Sequence, residues 1–171
     1  MSTANLDIKE LLKHLQYHLK RKIEDNGIAN PLLIGIHTGG AWIAQHLHEK
    51  LSIQEPLGLL DISFYRDDFS RIGMHPQVKP SQLPFSVEGR DILLVDDVLF
   101  TGRTIRAALN KIFDYGRPAR VMLIVLIDRD GREIPIQADC YGARVTLQTN
   151  ERIKLAGPAP LELSIRTVET H

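Results

Sequence analysis

Asp91-Ile-Leu-Leu-Val-Asp-Asp-Val-Leu-Phe-Thr-Gly-Arg-Thr104 decides the reading of this chain. Four apolar residues form a short buried strand, Ile92–Val95, which runs into two adjacent carboxylates, Asp96 and Asp97. Three more apolar residues lead into Thr101-Gly102, and a helix follows from about Thr104 to Tyr115, stopped by Gly116-Arg117-Pro118. Open α/β sheets bind ligands beyond the carboxyl ends of their strands, where this acidic pair falls. Glycine lets the backbone approach a ligand closely. The hydroxyls of Thr101 and Thr104 and the free amides of a helix N-terminus suit a phosphate. The carboxylates suit the vicinal hydroxyls of a sugar, or a divalent cation. Phosphate at one end and a diol at the other describe a ribose 5-phosphate. Asp-Asp after an apolar strand also occurs in receiver domains, phosphatases and plain capping turns; the full spacing through Thr-Gly-x-Thr is much narrower. Neither Gly-x-Gly-x-x-Gly nor Gly-x-x-x-x-Gly-Lys-Ser/Thr is present, which removes the main support for dinucleotide and P-loop sites.

The flanks have the same architecture. Ile8, Leu11, Leu12, Leu15, Leu19 and Ile23 recur at helical spacing over about 7–25. Asp7 with Glu10 supplies a capping pattern, and Asn26-Gly27 a stop. Pro31–His37 reads as a short buried strand, followed by Thr38-Gly39-Gly40 and a helix carrying Trp42, Ile43, Leu47 and Leu51. A second strand is expected near Leu57–Tyr65 and a fourth at Val121–Ile127, an unbroken apolar run of the kind a parallel sheet buries on both faces. Residues 67–88, with Pro76, Pro80 and Pro84, form a connection longer than ordinary loops and suggest a flexible lid. Short apolar alternations from 138 to 171 suggest small strands outside the main sheet, a C-terminal hood.

Composition sets outer bounds. The 171 residues are one domain's worth, at roughly 100–200 residues per domain, and 43% are hydrophobic, enough for a core. No apolar run approaches the roughly 18 residues of a membrane span, and the polar N-terminus has no signal-peptide core; a cytoplasmic location is the expectation. The lone Cys140 excludes an internal disulfide and a multi-thiolate zinc site, and packing is its expected role. Lys and Arg total 21 against 21 Asp and Glu, which argues against nucleic-acid coating by bulk charge. The segment Arg103–Arg132 nevertheless holds seven basic and three acidic residues, a candidate local patch. Lys13, His14, His18 and Lys20–Lys22 either extend that patch or form a solvated helix face.

The segment Ile92–Thr104 resembles the 5-phosphoribosyl-1-pyrophosphate (PRPP) motif of type I phosphoribosyltransferases. Asp61-Ile-Ser-Phe-Tyr-Arg-Asp-Asp68, Phe113-Asp-Tyr-Gly-Arg-Pro-Ala-Arg120, Val125-Leu-Ile-Asp-Arg129 and Arg132-Glu-Ile-Pro-Ile-Gln-Ala-Asp139 resemble the branch that joins uracil phosphoribosyltransferase activity to control of a pyrimidine operon. With Ile34–Gly40 the likeness spans about 32 to 142. It implies a type I phosphoribosyltransferase fold over 1–171: α/β, a mainly parallel sheet flanked by helices, a small hood at about 138–171 and a flexible lid at about 67–88. It implies the reaction of uracil with PRPP to give UMP and pyrophosphate, with Mg²⁺ carried by PRPP rather than by a dedicated protein site.

Residue by residue, the resemblance implies that Asp96 and Asp97 hold the ribose hydroxyls. It implies that Val98, Leu99, Phe100, Thr101, Gly102, Arg103 and Thr104 hold the 5-phosphate, and that Thr38, Gly39 and Gly40 face pyrophosphate, assisted by Arg66. Asp128 and Arg129 fall at the base or metal end, although Asp128 alone reads equally well as an ordinary strand-end carboxylate. Pyrimidine-operon mRNA, the effectors UMP and PRPP, and a homo-oligomeric assembly are further implied. The chain departs from the branch where Thr-Arg-Gly is usual and Thr38-Gly39-Gly40 stands. Loss of that guanidinium fork weakens the expected grip on pyrophosphate. It sets a catalytically weak, nucleotide-sensing RNA-binding regulator beside the enzyme, with a phosphoribosyltransferase for another base as a third reading. A second departure is Asp130-Gly131, where Gly-His is common.

Overall fold

The computed structural model describes residues 6–62 and 81–169. Five parallel strands form one sheet: β1 (Leu32–Ile36), β2 (Gly58–Leu60), β3 (Asp91–Leu99), β4 (Arg120–Arg129) and β5 (Cys140–Val145), in the order β2-β1-β3-β4-β5. Helices α1 (Ile8–Asp25), α2 (Gly39–Lys50) and α3 (Arg103–Tyr115) cover it, and β6 (Glu151–Ala156) pairs antiparallel with β7 (Glu162–Thr167) outside it. This is the expected α/β fold.

Strand periodicity explains the two covered faces. Leu33, Leu93, Val95 and Ile124 point into one core with Leu15 and Leu19 of α1 and Ile43 and Leu47 of α2. Their neighbours Leu32, Ile34, Ile92, Leu94 and Val125 point into the other, with Ile105, Ala108 and Ile112 of α3. Helix α1 begins where the capping pattern placed it: the Asp7 side chain accepts from Lys9 N at 2.9 Å. Among the described residues, no helix is long and apolar enough to cross a membrane.

Three expectations change. The second strand is three residues long within the described range; 63–65 lie outside the described residues, as do Arg66 and positions 67–80 of the expected lid. The remainder of that lid, 81–88, is tied to the body. Leu59 and Gln82 exchange backbone hydrogen bonds at 2.8 Å, closing the edge of β2, while Val87 is fully buried in the second core. Third, the expected hood gives up its first part: Cys140–Val145 pairs in register with Ile124–Arg129 and becomes the fifth strand of the main sheet. The hood proper is the β6–β7 pair.

Burial also settles the chemistry of Cys140. Desolvation pushes its thiol up to about 11, so at pH 8 it stays protonated. Since the thiolate is the nucleophile, alkylation of the folded protein by iodoacetamide is expected to run about a hundredfold slower than that of an unperturbed cysteine. Intact mass after timed quenching reads this directly, and alkylation at the free-thiol rate would contradict it.

The hood presents its apolar side inward. Ile153, Leu155 and Leu163 pack on the first core, and a Cβ on Gly157, in the turn between β6 and β7, would lie 3.0 Å from Trp42 of α2. On the outer side Arg152 and Arg166 stand directly opposite each other. Like charges in that position repel, at about 0.2–1 kcal/mol. Arg166→Thr is therefore expected to raise stability by a few tenths of a kcal/mol at low salt. The gain should vanish near about 1 M salt, where screening is nearly complete. Urea midpoints at the two ionic strengths test it.

Candidate active site

Strand order reverses between β1 and β3: the chain leaves one toward β2 and the other toward β4. The crevice beyond their carboxyl ends is where such sheets receive ligands. Strand β1 delivers His37–Gly40 to it, and β3 delivers Asp96 onward. The strand runs further than the sequence pattern indicated, through Leu99, so both carboxylates are held by sheet pairing rather than by a loop.

Asp96 is buried at 3% exposure, and its Oδ1 accepts from Asp97 N at 2.9 Å. Asp97 sits half-buried nearer the mouth, its Oδ1 accepting from Val98 N at 2.9 Å. The loop after β1 lies directly against this pair. A Cβ on Gly40 would fall 2.6 Å from Val95 O and 2.9 Å from Asp96 Cα, which only glycine avoids. A Cβ on Gly39 would fall 2.8 Å from Asp97 Cγ. The side chain missing at position 39 thus leaves its volume to the Asp97 carboxylate.

After β3 the chain turns through Gly102, whose φ of +94° suits glycine and whose α carbon faces Ile134 and Ile136. Thr101 Oγ1 accepts from Arg103 N at 3.2 Å, and the Thr101 carbonyl accepts from Glu133 N and Ile134 N. The segment 132–136 therefore straps the turn from outside. The first helical bond of α3, Arg106 N to Gly102 O, is 3.0 Å. The amides of Thr104 and Ile105 come before it, in the first turn, which contains no acidic residue. Such an end of a helix favours an anion. The Arg103 side chain pairs outward with Glu133 at 3.0 Å.

A cavity of about 650 Å³ opens beside this turn, past the ends of β4 and β5, lined by Asp128, Arg132, Ile136, Gln137, Arg144 and Thr146 among others. Both Asp128 and Arg129 belong to β4 itself. Asp128 is clamped from two sides: Arg132 Nη2 donates to its Oδ1 at 2.7 Å and Arg144 Nε to its Oδ2 at 3.2 Å. Arg129 turns the other way, to the carbonyls of Glu151, at the start of the hood, and Gln148, just before it, at 3.2 and 3.5 Å. Sequence reasoning passed over Arg132 as a partner of Asp128, although a cation four residues on across a glycine turn is a local signal. Arg144, 16 residues away, had none.

Among the described residues no group of three or more His, Cys, Asp and Glu side chains gathers to hold a metal. Asp96 and Asp97 are hard oxygen donors of the type Mg²⁺ takes, and so fit a cation arriving with a ligand's phosphates. Four of the seven basic residues in 103–132 are engaged within the fold. Arg103 pairs with Glu133, Arg120 with Asp91 and Arg132 with Asp128, while Arg129 is buried.

Comparison with known proteins follows the same lines. The family model described as phosphoribosyl transferase domain matches residues 2–156. The Bifunctional protein PyrR of Nitrosococcus oceani is 55% identical over 168 residues, 97% of this chain and 95% of the relative. That of Pseudomonas fluorescens is 55% identical over 157 residues, 92% of this chain and 94% of the relative. Among solved structures, a hypoxanthine phosphoribosyltransferase from Staphylococcus aureus superposes with TM-score 0.63 at 19% identity, covering 81% of this chain and 74% of the other. A Trypanosoma cruzi hypoxanthine phosphoribosyl transferase gives 0.62 at 23% identity, covering 82% and 76%. At those identities the structures speak for the fold.

Proposed function

Since the chain belongs to the phosphoribosyl transferase domain family, we propose that it joins uracil to PRPP, forming UMP and pyrophosphate, and regulates pyrimidine-operon transcription by binding mRNA. The observation that carries the enzymatic half is the shared crevice: the Thr38-Gly39-Gly40 loop packs directly on the β3 backbone at Asp96. In this reading a ligand held there meets the Thr38–Gly40 loop and the Asp96–Asp97 pair together, with the turn after β3 next in the chain.

In this reading the amides and hydroxyls of Thr101–Thr104 fix the 5-phosphate, and Asp96 and Asp97 accept from the ribose hydroxyls. The cavity between Asp128 and Gln137 receives the base. The base nitrogen forms its bond to C1 of the ribose as the bond from C1 to pyrophosphate breaks. The protein supplies orientation, which is worth ~7–11 kcal/mol in favourable cases. Mg²⁺ carried by PRPP would neutralise the departing pyrophosphate. The loop in front of it has no guanidinium at Gly39, and that one observation favours a second reading, a slow enzyme serving chiefly as a sensor of UMP and PRPP.

A uracil, PRPP and Mg²⁺ assay, with UMP resolved by chromatography, separates the two. UMP formation above an Asp97→Asn control establishes the enzyme. UMP binding without turnover establishes the sensor, and turnover with guanine or hypoxanthine but not uracil moves the base assignment. For the regulatory half, the similarity to proteins named Bifunctional protein PyrR is the support. Filter binding to the operon leader RNA across a salt series tests it; equal affinity for a scrambled RNA removes the specific claim.

A further inference from the structure

Arg129 is a buried arginine, 6% exposed, with no carboxylate partner among the described residues. Its guanidinium lies 4.0 Å from the centre of the Phe100 ring, and its two terminal nitrogens reach the carbonyls of Glu151 and Gln148. Its Nε is buried with no hydrogen-bond partner. Phe100 belongs to the turn between β3 and α3, and Glu151 is the first residue of β6. One side chain therefore bridges the phosphate turn and the hood. The ring also lies close to Gly131, where a Cβ would fall 2.5 Å from Phe100 Cε2, and Arg132 Nη1 donates to the Phe100 carbonyl. The ring is otherwise exposed, at 39%, so the guanidinium stacked on it is a principal contact of its face.

Packing alone does not account for a cation here. Taking a guanidinium out of water is costly without a charge partner, and an apolar side chain of similar volume would fill the space at less cost. Burial, with the nearby Arg152, pushes its pKa down, although the charges of Asp130 and Glu151 act against that shift without contacting the guanidinium as ion pairs. A ring face and two carbonyl dipoles compensate it in part. A dianion arriving in the adjoining turn adds a further favourable interaction, and only a planar fork can stack on the ring and grip two carbonyls together.

We propose that Arg129 is a positioning residue that couples the hood to the phosphate turn, so that a bound 5-phosphate orders β6 and β7 and an ordered hood tightens the turn. Linkage requires the effect to run both ways. The inference rests on reading Val98–Thr104 as the phosphate turn.

The test uses UMP as the probe, with affinity by calorimetry and hydrogen exchange in residues 151–167 with and without ligand. In the unaltered protein UMP is expected to slow exchange in the hood strands. Arg129→Met is expected to bind UMP about tenfold more weakly, the scale of one charge-assisted interaction, and its hood exchange should not respond to UMP. Arg129→Lys should fall between. Phe100→Leu removes the same stack while leaving β4 untouched, and carries the test should Arg129→Met not fold. If both act through one contact, the double variant binds no worse than the weaker single variant. Hood protection by UMP that survives both substitutions, or losses that simply multiply, overturns the coupling. Absence of UMP binding in the unaltered protein would overturn the site reading itself, and the coupling with it.

Discussion

Asp97→Asn is expected to lower kcat/KM for UMP formation by about a hundredfold or more while leaving the fold intact. A carboxylate accepting from vicinal ribose hydroxyls makes charge-assisted hydrogen bonds, worth about 1.5–3 kcal/mol each. Two such bonds span roughly 10²- to 10⁴-fold in rate if they tighten as the ribose becomes oxocarbenium-like. Asparagine keeps one carbonyl oxygen but loses the charge and offers donors where only an acceptor fits. The folded state has little to lose, because the bond from Val98 N to Asp97 Oδ1 can be accepted by the asparagine oxygen. Unchanged melting with lost turnover is the expected pair of results. Turnover within a factor of about three of the parent would remove Asp97 from the ribose site.

Gly40→Ala is expected to damage both stability and activity, for a geometric reason. The new Cβ would meet Val95 O at 2.6 Å and Asp96 Cα at 2.9 Å. Both are backbone atoms of β3, a central strand paired with β1 at Gly35–Val95 and with β4 at Asp96–Val125. They cannot yield as a side chain would, so the start of α2 must lift away. Overpacking of this kind costs about 1–3 kcal/mol. At this chain length that corresponds to a melting temperature lower by about 2–4 °C per kcal/mol. The displaced Thr38-Gly39-Gly40 loop also leaves Asp96 and Asp97, and a misplacement near 1 Å can cost roughly a hundredfold in rate. A variant that melts and turns over like the parent would show that the loop does not need its contact with β3.

The two substitutions probe different kinds of legibility. Asp97 was singled out from sequence because its context is local: a buried strand carrying two acids, then Thr-Gly-x-Thr, sets a carboxylate pair a few residues ahead of a helix N-terminus. The capping of α1 and the glycine turn after β1 were legible for the same reason, being set within a few residues. Gly40 was legible as a loop glycine, but its contact with the β3 backbone, some 55 positions on, was not. Strand β5 escaped because an edge strand with Tyr141 and Arg144 exposes part of itself and lacks the continuous apolar run that marks β4. Val87 escaped because a single apolar residue among prolines and serines carries no periodicity.

Local chemistry therefore determined the class of sheet, the acidic pair at the end of β3, the glycine turn after it and the family. Tertiary structure alone decided how the cations were used. Seven basic residues against three acidic ones between Arg103 and Arg132 read as a patch. Folding sends Arg132 to Asp128, Arg103 to Glu133 and Arg120 to Asp91, and buries Arg129 against Phe100 and the hood. Charge counted along a chain is additive, whereas Coulomb interaction and desolvation depend on distance and burial, and those are set by segments that meet only when the sheet has assembled.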